Sequence, residues 1–254
     1  MFVVLFNNVA LILSSLVLIL GVSSAQAQPL ALPQYVAGEH YQVLSNPNKL
    51  TAEDKIEVMV VYWYGCSHCL AFEPVINAWK KSLASDVVFA RTPAMWGRKN
   101  SPTHNAMQSH AVLYYVAESL ELPDAIHSDI FQILVKNPRL NDAKKFAEIF
   151  AKYGVDRDAF NARFESFGIR SKVNKAEKRI SSNYRTQGTP EMVVNGRYRI
   201  SARMAGSQQE MLQVVDFLIE QERVRTATLS NTQKESAKVI STPTNELESA
   251  ATSP

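Results

Sequence analysis

Cysteine is almost absent from this 254-residue chain: there are two, Cys66 and Cys69, both within the stretch VVYWYGCSHCLAFEP, residues 60–74. A second C-x-x-C is lacking, and so is a closely spaced histidine pair. That tells against a structural zinc site, which needs four ligands. His104 and His110 stand six apart on a predicted helix and His40 and His127 are isolated, so all four read as surface or core histidines. An excess of one charge is lacking too. The formal net charge is +3, and Lys172, Lys175, Lys178 and Arg179 interleave with polar residues at helical spacing. This describes a solvated helix face, not a nucleic-acid footprint.

Long apolar runs are confined to the amino terminus. The run Val9 to Val22 is short for a membrane span, which takes about 20 apolar residues, and Ala25-Gln26-Ala27 fits A-x-A cleavage before Gln28. Residues 1–27 are read as a signal peptide, with an uncleaved anchor as the other reading. No Lys or Arg precedes the run, a departure from both. Export implies an oxidising compartment, where paired cysteines are usually disulfides. At the other end, Thr226 to Pro254 is rich in Ser, Thr, Asn and Glu with almost no aromatic or periodic apolar signal. Residues 225–254 are therefore expected to form a disordered tail.

The hydrophobic fraction, 46%, suffices for a sizeable core. Lys55 to Tyr64 reads as a buried strand, being nearly continuous in apolar, β-branched and aromatic residues. A helix opens at Cys66, with Leu70, Val75, Ile76, Trp79 and Leu83 at helical spacing and Pro74 expected to bend it. Val87 to Arg91 reads as the next strand. From Thr103 to about Arg185 the pattern is helical, punctuated by Pro123, Pro138, Gly154 and Gly168. Two short β-rich runs flanking Asn195-Gly196 then read as a hairpin. Ser207 is placed to cap a closing helix from Gln208 to Arg223. The order is β-α-β, helical insert, β-β-α. It divides the chain into 28–100, an all-helical 101–185 and 186–224.

Besides zinc, the cysteine pair has two readings. As a staple, closing so short a loop yields only about 2 kcal/mol on a chain-entropy estimate, against about 4.7 for a 100-residue loop. As a redox pair at a helix start following a strand, it is well placed, because helix N-terminal amides and the dipole stabilise a thiolate. Cys66, nearer the helix end and the solvent, is then the sulfur attacked by an outside thiolate, and Cys69, one turn inward, resolves the mixed disulfide. His68 between them is a candidate to stabilise the thiolate further, against a plain reading as an exposed polar residue.

WYGCSHCLAFEP and GTPEMVVNGRYRI together resemble the DsbA thiol:disulfide oxidoreductases of bacterial periplasms, over about Tyr41 to Arg223. The resemblance implies an α/β thioredoxin-like fold with an inserted all-helical subdomain. It also implies that Pro190 is a cis-proline packed against the disulfide, and that Thr189 offers backbone hydrogen bonds to an extended substrate strand. The sequence departs from the family in three ways. Ser67 stands in the active-site dipeptide Ser67-His68 where proline is usual. Val60 stands where many members place a buried acid, with Glu57 on the other strand face a doubtful substitute. The tail after Arg223 is long.

The expected activity is thus disulfide donation from Cys66-Cys69 to reduced secreted polypeptides in the periplasm. Reoxidation by a membrane DsbB-type, quinone-linked oxidase is implied by the resemblance only. No metal or other cofactor is expected beyond the redox-active disulfide itself, and no separate dimerisation domain is visible, so a monomer is expected. Two other readings stand beside this one. One is a disulfide isomerase or reductase; the other is a peptide-binding chaperone using an apolar surface around Tyr62, Trp63 and the Pro190 loop.

Overall fold

A computed structural model describes residues 35–48, 50–51, 54–122 and 124–240. The expected signal peptide and the last residues of the expected tail lie outside them. Seven of seven residues in β2 (Ile56–Tyr62) are buried, which makes it the centre of the sheet. It pairs in parallel with β3 (Val87–Pro93) on one side and antiparallel with β4 (Glu191–Val194) on the other. β4 continues through an antiparallel hairpin to β5 (Tyr198–Ser201), and β1 (Gln42–Val43) adds to β5 at the edge. The order across the five strands is β1-β5-β4-β2-β3.

The Asn195-Gly196 hairpin forms because both residues take positive φ, 49° and 59°. That backbone twist matches the flanking strands, and asparagine and glycine tolerate it best. Gly196 has a further reason: a Cβ there would fall 2.1 Å from the Asn48 carbonyl oxygen. β1 is shorter than any periodicity signal, so only its pairing with Tyr198 and Arg199 reveals it.

α1 (Ser67–Lys80) follows β2 and contains Pro74 without ending there. Between β3 and β4 come α2 (Pro102–Ser119), α3 (Asp124–Leu134), α4 (Ala143–Ala151), α5 (Arg157–Phe164), α6 (Phe167–Lys178) and a π-helical turn at Arg179–Asn183. Side-chain caps at Ser101, Asp142, Asp156 and Ser166 start α2, α4, α5 and α6 by accepting from first-turn amides. Sheet and helices belong to one compact unit beginning at Tyr35. They share a core in which Tyr62, Tyr64, His127 and Phe131 meet edge-on or tilted at centroid distances of 4.8–5.6 Å.

The chain closes with a short α7 (Ala202–Ala205) and then α8 (Gln208–Ile240), capped by the Ser207 hydroxyl, which accepts from the Glu210 amide. α8 corrects the expected tail boundary, since it runs well past Arg223. The packed first half nucleates a helix whose extension costs little per residue. Thr226, Thr228, Ser230 and Thr232 fold their hydroxyls back onto carbonyls four residues earlier, so the polar composition read as disorder is accommodated in a solvated helix. No helix among the described residues is long and apolar enough to cross a membrane.

Candidate redox site

β2 aims the chain at the site. Past Tyr62 the backbone turns through Trp63, Tyr64 and Gly65, closing with a Cys66 N–H to Trp63 carbonyl hydrogen bond of 2.9 Å, and delivers Cys66 as the N-cap of α1. Its φ and ψ, −99° and 114°, are extended, as an N-cap requires. The sulfur occupies the place a serine oxygen usually takes, accepting from the Cys69 amide at 3.4 Å. The Thr189 carbonyl in turn accepts from the Sγ–H at 3.4 Å. The Thr189-Pro190 peptide is cis, and Pro190 is buried.

Cys66 is half-buried and Cys69 buried, and the two thiols are free of a disulfide. Their acidities diverge. The Cys69 thiol beside it, together with the Thr189 side chain and the amides of Cys69 and His68, outweighs burial and lowers the Cys66 pKa to about 5. Burial pushes the Cys69 thiol far up, and the neighbouring Cys66 sulfur adds to this. Ser67 and His68 are both exposed, and the His68 group that bears on Cys66 is its backbone N–H.

The site therefore brings Cys66, Ser67, His68, Cys69, Thr189 and Pro190 together. Val60 is 2% exposed in mid-β2, opposite Met192 and Arg91, so the buried strand position is apolar. Glu57 lies near the start of β2, on the order of 15 Å from its end at about 3.3 Å per residue. Its carboxylate accepts from the Leu50 amide at 2.8 Å, a role in fastening the loop before the strand. Tyr62, named for an apolar surface, is only 1% exposed, because the central strand packs it against aromatic side chains of the helices.

Some supporting residues gave no sequence signal. Gly65 lies under the Trp63 indole, where a Cβ would meet the ring at 2.4 Å. Trp63 Nε1–H donates to His110 Nδ1 at 3.0 Å, which leaves His110 Nε2–H to donate to the Leu140 carbonyl, also at 3.0 Å. Burial keeps His110 neutral by lowering its pKa to about 4. Glu191, directly after the cis-proline, turns its carboxylate back to accept from the Gln187 amide at 3.2 Å, with Arg199 3.8 Å away. Burial raises its pKa to about 7. The chain separations, 47 residues between Trp63 and His110, put such contacts beyond local pattern. Among the described residues no group of three or more His, Cys, Asp or Glu is placed to hold a metal ion.

A β-sheet of this order, with an acidic thiol capping the helix after its central strand and a cis-proline loop facing that thiol, defines a thioredoxin-like dithiol protein. Residues 57–215 match the DSBA-like thioredoxin domain family. The thiol:disulfide interchange protein DsbA of Azotobacter vinelandii is 38% identical over 199 residues, covering 78% of this chain and 89% of the relative. That of Pseudomonas aeruginosa is 37% identical over 190 residues, 74% of this chain and 86% of the relative. The crystal structure of Pseudomonas aeruginosa DsbA matches with a TM-score of 0.69 at 36% identity, over 76% of this chain and 97% of that one. Oxidoreductase DsbA from Xylella fastidiosa matches at 0.66 and 28% identity, over 76% and 99%. The chain belongs to the DsbA-like family of thioredoxin-fold thiol:disulfide oxidoreductases.

Proposed function

We infer that this protein introduces disulfide bonds into exported polypeptides, with Cys66 as the exchanging sulfur and Cys69 as the resolving one. The observation that best supports this is the Cys66 sulfur itself, a half-exposed N-cap with its pKa lowered to about 5 and facing the Thr189 carbonyl. In the oxidised protein a substrate thiolate attacks Cys66 Sγ. The Cys66-Cys69 bond breaks, its electron pair leaves on Cys69, and Cys69 takes up a proton. A second substrate thiolate then attacks the substrate sulfur of the mixed disulfide and expels Cys66 as a thiolate. Two electrons have passed from substrate to protein, and the leaving group is the sulfur best able to hold negative charge.

Thr189, with its carbonyl at the sulfur and its neighbour Pro190 in cis, is the candidate rest for an extended substrate segment beside Cys66. Residues 28–100 and 186–224 are read as the two parts of the thioredoxin-like domain, with 101–185 inserted. Residues 1–27 are read as an export signal to the periplasm. There a membrane quinone-linked oxidase of the DsbB type would restore the disulfide. The site needs only its own disulfide for the exchange, and the protein is read as acting as a monomer.

The test is the reduction potential of the Cys66-Cys69 pair, obtained by equilibrating the mature protein in glutathione buffers. A value clearly more oxidising than the glutathione couple is expected, since each pKa unit of thiolate stabilisation is worth about 30 mV. A value near that of thioredoxin, about −270 mV, would replace the oxidase with a reductase or isomerase.

A further inference from the structure

The amide that donates to the Cys66 sulfur is one end of a peptide unit whose other end is also occupied. The His68–Cys69 peptide presents its N–H to Cys66 Sγ at 3.4 Å, and its carbonyl oxygen accepts from Gln208 Nε2–H at 2.8 Å. Resonance joins the two ends of a peptide, so a donor on the oxygen makes the N–H a better donor. A carbonyl has two lone pairs, so this contact does not displace the oxygen from the helical ladder of α1.

Gln208 arrives from 140 residues away along the chain and is held on a fixed corner. Gly206, at φ 103°, ends α7, and a Cβ there would strike the Glu210 carboxylate at 2.4 Å. Ser207 caps α8, and the buried Met211 and Leu212 anchor its first turn to the core. The side-chain amide is thereby presented to α1 by a rigid element.

We propose that Gln208 is a positioning residue for the redox site: through the His68–Cys69 peptide it strengthens the hydrogen bond that holds negative charge on Cys66. This rests on the reading of Cys66 as the exchanging thiol. The groups bearing most on that sulfur are the Cys69 thiol and the His68 and Cys69 amides from α1, and Thr189 from the loop before β4. None is a charged side chain, so the polarity of one peptide has weight.

The experiment titrates the reduced protein by thiolate absorbance at 240 nm and measures its potential in glutathione buffers, for wild type and for Gln208→Leu, Gln208→Glu and Gln208→Lys. Gln208→Leu removes the donor and should raise the Cys66 midpoint by about half a unit, roughly threefold in the acid constant and about 15 mV toward a weaker oxidant. Gln208→Glu, an acceptor facing an acceptor, should raise it further, and Gln208→Lys, a charged donor, should lower it. A purely structural contact would move unfolding temperatures without ordering the three midpoints in this way. Midpoints and potentials that stay at the wild-type values, or shift without that order, overturn the proposal. Titrations of Cys66→Ser and Cys69→Ser keep the underlying reading separate. A low midpoint must vanish in the first and persist in the second, and failure there overturns the assignment of Cys66 and the proposal with it.

Discussion

At Cys66 the helix cap and the proposed exchanging thiol are one residue, so the amide that starts α1 is also one of the groups that lower the pKa there. This links redox state to stability with a definite sign. The folded pKa of Cys66, about 5, lies below the value near 8.5 of an unfolded thiol. The unfolded chain therefore holds a proton that the folded one has released, and the reduced protein gains stability as pH rises between those values. The gain is fully present above the unfolded pKa and is lost as pH falls through about 5. Glu191 acts in the opposite sense. Its pKa is raised by burial from 4.5 to about 7, so stability falls as pH rises through that window. Glu191 titrates in either redox state, whereas the Cys66 and Cys69 thiols titrate only in the dithiol. Urea unfolding of reduced and oxidised protein from pH 4 to 8 should thus give a difference curve that rises in favour of the reduced form, the raised Cys69 thiol opposing the rise only as pH reaches the unfolded value of about 8.5. A flat difference curve would mean that Cys66 carries no special acidity.

The turn between β2 and α1 is the element on which the site depends, and it is packed too tightly for one added methyl group. Gly65→Ala places a Cβ 2.4 Å from the Trp63 ring, and Trp63 cannot swing away without giving up His110. Overpacking of this kind costs about 1–3 kcal/mol. Chemical denaturation should show that loss for Gly65→Ala alone and a much smaller one in a Trp63→Ala background. Equal losses in both backgrounds would exclude the ring as the obstacle. Much of this element could be read from sequence. The apolar run of β2, the helix beginning around Cys66 and the Asn195-Gly196 turn follow from periodicity and backbone preference alone. What could not be read depends on contacts between distant segments. β1 exists only through its pairing with β5, and the Trp63–His110 bond joins two histidine and tryptophan positions that separately look ordinary. The overrun of α8 was hidden for a different reason, because composition weighs against disorder or order locally and takes no account of a helix already nucleated by packing.

Across the whole molecule, the sheet and the helices between β3 and β4 are joined by polar contacts buried beneath the site. Tyr64 Oη lies 2.8 Å from His127 Nδ1 in α3, and His127 Nε2 lies 3.5 Å from Glu73 in α1. Arg91 of β3 pairs with Glu73 at 3.0 Å and also donates to Asn77 at 3.1 Å. Burial pushes the Glu73 carboxyl up, but His127 and the Arg91 charge prevail and hold it below its usual value. Breaking a buried pair by removing one partner typically costs about 3–5 kcal/mol, because the other charge is left without compensation. Arg91→Met should therefore loosen the junction. In Glu73→Gln/Arg91→Met the charges leave together, and much of that loss should be recovered. The far end of α8 offers the contrast, since residues 226–233 are exposed. Hydrogen exchange on the two Arg91 variants can tell whether the junction joins the two regions into one cooperative unit. If it does, amides of α3 and of β2 lose protection together in Arg91→Met and regain it together in the double variant. Loss confined to α3 would mean that the helices open independently of the sheet, and that the redox turn is held by β2 and α1 alone.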